Sequence, residues 1–210
     1  MNIPTEHNYL LMLSGGLDSA AGFYHLLRTG HRFAAHHVRI INGEGRAPHE
    51  RKAVNDVLEW TRTARLPGRY IFSESTTDYG RGKLWLRDRH VWSFWAGAIF
   101  RAQPELDTLF LSRHADDFNH SGHETAETVA ARREQANEEI QGIISSIAGR
   151  EVELVAPFLE IPKRDLIASI PPELAQRAWY CRRPVGGHVK CGRCFTCKQV
   201  GDAIAATLRS

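Results

Sequence analysis

Asn8-Tyr9-Leu10-Leu11-Met12-Leu13-Ser14-Gly15-Gly16-Leu17-Asp18-Ser19 joins an almost unbroken apolar run to a Ser-Gly-Gly break, and helical periodicity follows at once. A short apolar run without polar alternation reads as a strand buried on both faces, as in parallel sheets. From Asp18 to Arg28, residues Ala20, Ala21, Phe23, Tyr24, Leu26 and Leu27 make an amphipathic helix, closed by Gly30. The join itself suits an anion. Glycines let backbone N–H groups approach closely, the helix N-terminus adds partial positive charge, and Ser14 and Ser19 add hydroxyl donors. It is neither a Walker A loop, because the lysine is missing, nor a dinucleotide G-x-G-x-x-G. The competing reading is a plain strand-to-helix turn with Asp18 as its cap.

Outward from this unit, strand and helix keep alternating. Phe33–Ile41 reads as a second strand, Pro48–Ala64 as a helix, Arg69–Phe72 as a short third strand, and Ser73–Lys83 as a polar surface loop or lid. Arg87–Arg101 is a helix rich in large residues, among which Trp92 and Trp95 read as core. Thr108–Leu111 is a fourth strand, Glu124–Ala148 a long polar helix, Val152–Ala156 a fifth strand and Pro162–Ile170 a short helix ended by Pro171-Pro172. A final helix runs from about residue 195 to 208. The pattern predicts an α/β fold with a doubly wound, mostly parallel five-stranded sheet. Such sheets bind ligands beyond the C-terminal ends of their strands, where strand order reverses. The loops after strands one, two and four are therefore the places for chemistry.

The chain has 210 residues, enough to bury a core without disulfides, and a net charge of +3 that permits a nucleic-acid partner without indicating one. No apolar stretch approaches a membrane span, and Met1–His7 lacks the features of a signal peptide, so the expected location is the cytoplasm. All four cysteines fall together as Cys181-x9-Cys191-x2-Cys194-x2-Cys197. That spacing suits tetrahedral Zn²⁺ in a closed, structural site, with an iron–sulfur cluster as the alternative. Residues 1–176 are expected to form the nucleotide-binding α/β domain, and 177–210 a zinc-binding segment packed on it.

Ser14-Gly15-Gly16-Leu17-Asp18-Ser19 closely resembles the Ser-Gly-Gly-x-Asp-Ser pattern of the pyrophosphatase-loop (PP-loop) ATPases. With the C-terminal cysteines it resembles the 7-cyano-7-deazaguanine synthase (QueC-like) family. Asp88-Arg89-His90 resembles that family's Gly-Arg-Asn helix start, Ala156–Lys163 its Thr-Pro-Leu stretch ending in a functional lysine, and Trp179–Cys197 its zinc segment. Two stretches depart from the family. Ile41-Asn42-Gly43-Glu44-Gly45-Arg46 replaces its Asp-Tyr-Gly-Gln, and after Asp117-Phe118 the segment Asn119–Thr125 replaces its Ser-Gly-Tyr-Pro-Asp-Cys-Arg.

The resemblance implies a ligase that cuts ATP between the α- and β-phosphates. A small carboxylate, resembling 7-carboxy-7-deazaguanine, would become an adenylate, and ammonia would convert it to an amide or onward to a nitrile. ATP would rest on Ser14, Gly15, Gly16, Leu17, Asp18, Ser19 and Val38. Asp18 would stand near Mg²⁺, and Lys163 and Arg89 would supply catalytic positive charge. Asp117, Phe118, His120 and His123 would contact substrate, and Cys181, Cys191, Cys194 and Cys197 would hold Zn²⁺. A homodimer and a protein acceptor are compatible with this reading. Its competitors are a QueC-like enzyme coupling the acid to a protein or nucleotide amine, a PP-loop tRNA-modifying enzyme, and a non-enzymatic scaffold. His114, Asp116, Asp117, His120 and His123 form a dense polar set for which a second metal site is a further option.

Overall fold

Alternate residues of the first strand point into two separate cores. Tyr9 and Leu11 join one apolar cluster, and Leu10, with Met12 packed alongside, joins the other. A strand so placed must have helices on both sides, which is the arrangement observed. The computed structural model describes residues 3–80, 86–118, 125–186 and 188–207. Among them lie β1 (Tyr9–Met12), α1 (Leu17–Arg28), β2 (Arg32–Ile41), α2 (Ala47–Thr63), β3 (Arg69–Asp78) and α3 (Asp88–Ala102). Then follow β4 (Thr108–Phe110), α4 (Ala126–Ala148), β5 (Glu153–Val155), α5 (Lys163–Ala168), α6 (Pro172–Arg177) and α7 (Phe195–Thr207).

The five strands form one sheet in the order β3-β2-β1-β4-β5, and every pairing is parallel. Helices α1, α2, α5, α6 and α7 cover the face into which Tyr9 and Leu11 point, and α3 and α4 cover the other. Strand order reverses between β1 and β4, so the loops after these strands diverge and leave a crevice. Among the described residues, no helix is long and apolar enough to cross a membrane.

Two expectations need correction. β3 does not stop at Phe72. It pairs with β2 for ten residues, through Asp78, and takes in most of the expected loop. Ser73–Asp78 lacks the apolar run of a buried parallel strand because β3 is an edge strand with a largely accessible surface. Two of its serines also have a specific partner. The His36 ring, on β2, lies between Ser73 Oγ at 2.7 Å and Ser75 Oγ at 2.9 Å. Secondly, Pro171-Pro172 ends α5 but also starts α6, because Pro172 stands in the first turn, where its missing N–H has no partner to lose.

Buried histidines join neighbouring elements within a layer. His25 Nε2 on α1 meets Ser169 Oγ beyond α5 at 2.8 Å. Burial pushes both His25 and His36 down to about 4, from an ordinary value of 6.5. The unfolded chain therefore binds more protons than the folded one between those values. The contribution of these two histidines should be constant above about pH 6.5, and stability should fall as pH drops towards about 4. Urea unfolding across this window should show the loss, and His36→Gln should flatten part of the slope.

Candidate functional site

The crevice at the C-terminal ends of β1, β2 and β4 is a cavity of about 710 Å³, within the range of small-molecule and cofactor sites. Its floor is the loop from Ser14 to Ser19. Gly15 has φ +81°, and a Cβ there would come within 2.7 Å of the Glu50 carbonyl oxygen, so only glycine fits. Gly16 is the residue before α1, and no side chain caps the helix. Ser14 Oγ accepts the Gly16 amide at 3.2 Å and lies 3.0 Å from Ser19 Oγ. The helix start thus faces the cavity with hydroxyls and an uncapped positive dipole end.

Asp18 does not cap this helix. Its Oδ2 receives Lys163 Nζ at 3.1 Å, while its Oδ1 is buried with no hydrogen-bond partner. Lys163, the first residue of α5, is only 5% exposed, an unusual position for an ammonium. Its backbone N–H donates to Asp116 Oδ2 at 2.7 Å, which fixes the start of α5 against the loop after β4. Beneath it lies the buried ring of His114. The Asp116 amide donates to His114 Nδ1 at 3.2 Å, so a neutral ring carries its proton on Nε2, which stands 3.2 Å from Asp117 Oδ1. Burial raises the Asp117 carboxyl above its ordinary value, against the pull of His114 and Lys163 and with the repulsion of Asp18.

Side walls come from β2, through His36, Val38 and Ile40, and from Trp92 on α3. Arg46 reaches Glu50 at 2.6 Å and Asp88 at 2.7 Å, and also pairs with Glu44. Burial opposes its charge, but these carboxylates hold its pKa above the ordinary value. Arg113 stacks over the Phe118 ring at 5.1 Å. Phe118 itself has φ +71°, a left-handed conformation that costs a non-glycine residue about 1–3 kcal/mol.

Of the residues expected at the site, Ser14, Gly16, Leu17, Asp18, Ser19, Val38, Asp117, Phe118 and Lys163 line this cavity, and Gly15 shapes its loop. Arg89 is not among the lining residues. It pairs with Glu139, joining α3 to α4. His120 and His123 lie outside the described residues. Sequence reading missed Arg46, Glu50, Asp88 and Arg182, all of which line the cavity. For Arg46 the available signals were its place after β2 and its i,i+4 spacing to Glu50.

One wall is built by the cysteine segment, through Trp179, Tyr180, Cys181, Arg182, Phe195 and Thr196. The four Sγ atoms all lie within 4.8 Å of one another. Thiolates about 2.3 Å from one tetrahedral ion stand about 3.8 Å apart, so a small inward movement of these side chains would let the donor set close on one ion such as zinc. Gly192, at φ +69°, turns the chain between Cys191 and Cys194. The Cys191 amide donates to Cys181 Sγ at 3.2 Å, and the Cys194 amide to Cys191 Sγ at 3.3 Å. Backbone amides of Arg193 and Cys194 draw the Cys191 thiol down to about 6, whereas burial pushes the Cys197 thiol up to about 12, so a metal would have to displace the proton there. The segment is bolted to the floor loop, because the Trp179 amide donates to the Gly15 carbonyl at 2.8 Å. Trp179 also packs on Ala53, Cys181 and Cys197, and stacks on His49 at 4.5 Å.

No family model and no curated protein matches the chain. The site must therefore be read from its own chemistry.

The metal reading has a direct check. Elemental analysis of purified protein should give about one zinc per chain. Cys194→Ser should lose it and lower the melting temperature by more than about 5 °C, since a structural ion contributes folding free energy. An unchanged melting temperature in the metal-free variant would refute a structural role.

Proposed function

We propose that the chain is a PP-loop ATPase of QueC-like character, which adenylates a small-molecule carboxylate. The observation that carries this reading is the buried Lys163 ammonium held on Asp18, at the uncapped start of α1 and on the floor of the cavity. An ammonium and an exposed helix dipole kept together in one crevice suit a polyanion. The Asp18 Oδ1, buried and without a hydrogen-bond partner, fits a hard cation. Asp18 would hold Mg²⁺, which would neutralise phosphate oxygens when bound.

In this reading, the Ser14 and Ser19 hydroxyls and the α1 amides bind the β- and γ-phosphates. A carboxylate oxygen of the acid attacks the α-phosphorus as the bond to the bridging oxygen breaks and pyrophosphate leaves. Lys163 offsets the charge that gathers there. Ammonia then attacks the acyl carbon, AMP departs and a proton is lost, leaving an amide. Positioning and charge do the work, since the protein supplies no covalent step. His36, Val38, Ile40 and Trp92 form the less polar part of the cavity, suited to a flat heterocycle. The acid is a deazaguanine-type carboxylate, as the resemblance implies. Sulfur transfer to tRNA is the weaker reading, because all four cysteines of the chain belong to the metal cluster and none is left to carry sulfur.

Incubation with ATP, Mg²⁺, ammonia and 7-carboxy-7-deazaguanine should release AMP and pyrophosphate, with the amide or nitrile visible by mass spectrometry. Asp18→Asn should cut turnover by roughly 100-fold or more while zinc content and the circular-dichroism spectrum stay unchanged. ADP and phosphate as the main products would contradict the assignment.

A further inference from the structure

Among the described residues four cationic side chains line the cavity, and three are already engaged. Lys163 is held by Asp18, and Arg46 by Glu44, Glu50 and Asp88. Arg113 donates to the Asn137 amide oxygen and covers the Phe118 ring. The fourth is Arg182. It is exposed, lines the same cavity, and has no carboxylate within ion-pair distance among the described residues. It follows Cys181 directly, three residues after the Trp179 amide that binds Gly15.

We propose that Arg182 is a phosphate-binding residue of the cavity, carried into place by the cysteine knuckle and closing over the anion held on the Ser14–Ser19 loop. The proposal rests on the ATP reading above and deepens it. Its geometry comes from both ends of the segment. Cys181 is 1% exposed and belongs to the metal cluster, so the backbone before Arg182 is anchored. The Trp179–Gly15 hydrogen bond sets the distance between that anchor and the loop. The Arg182 charge also acts on Glu50, whose backbone carbonyl packs against Gly15. A guanidinium presents a planar fork of donors that matches phosphate oxygens, and one without a carboxylate partner loses no ion pair on binding them. The loop lacks the lysine by which a Walker A motif grips the distal phosphates. Arg182 brings an equivalent charge from the opposite wall.

The simpler role for Arg182 is to offset the charge of four thiolates, and the two roles give different results. Zinc-loaded wild type, Arg182→Ala, Arg182→Lys and Arg183→Ala are titrated with inorganic pyrophosphate and with adenosine by calorimetry. Zinc content and melting temperature are followed in parallel. Arg182→Ala should weaken pyrophosphate binding by roughly 10- to 100-fold, leaving adenosine binding, zinc content and melting temperature unchanged. Arg182→Lys should recover part of the loss. Arg183→Ala, an exposed neighbour that does not line the cavity, should bind as wild type does. Equal pyrophosphate affinity in wild type and Arg182→Ala would overturn the inference and leave the ATP reading standing. Loss of zinc or of melting temperature with no change in pyrophosphate affinity would assign Arg182 to charge balance instead. Wild-type protein that binds neither pyrophosphate nor adenosine would remove both readings.

Discussion

The hydrogen bond from the Trp179 amide to the Gly15 carbonyl joins the two parts of this molecule on which the site depends. Gly15 can offer that carbonyl because it occupies a left-handed conformation, with no Cβ to strike the backbone of Glu50. The loop is thereby pinned from two sides, by α2 through Glu50 and by the cysteine segment through Trp179. A loop held in place before any ligand arrives has less freedom to lose on binding. A cluster able to hold a metal, one turn of chain away, supplies that stiffness. The cysteines thus act on the cavity without chemistry of their own.

The second organising feature is the burial of charge. Lys163, His114 and Arg46 are largely withdrawn from solvent and Asp117 partly so, each at the C-terminal edge of the sheet. Desolvation penalises them, and interlocked hydrogen bonds offset it: Asp116 holds the Lys163 amide, its own amide holds His114, and His114 holds Asp117. Replacing such a network with apolar residues often stabilises a protein. Its presence here, and the strained backbone of Phe118 beside it, mark a place where structure serves a purpose other than stability.

Much of this was legible in the sequence, and the exceptions share a cause. The buried strand Tyr9–Met12, the glycine loop, the alternating helices and the cysteine spacing all announce themselves locally, because each depends on neighbours a few residues away. Lys163 and Asp117 could be nominated by resemblance alone, and they do line the cavity. β3 was cut short because its serines belong to a strand for the sake of His36, a partner on another strand. Arg89 was nominated by likeness to a motif, but its partner Glu139 lies on a different helix. Arg46 and Arg182 were overlooked for the same reason: a charged residue in a loop reveals its role only when the chain folds its counterparts against it. Local pattern identifies elements, and long-range pairing decides which side chains meet.

The central position of β1 also has a consequence for the order in which this protein can mature on the ribosome. Residue 15 leaves the ribosome long before residue 179, the residue that holds it. Lys163, the counter-charge to Asp18, arrives almost as late. At roughly 5–20 residues per second, the nascent loop spends about 7–30 s without either partner. During synthesis the crevice is therefore open-ended and its carboxylate unmatched. The crevice is completed only once residue 179 has emerged and folded back onto residue 15.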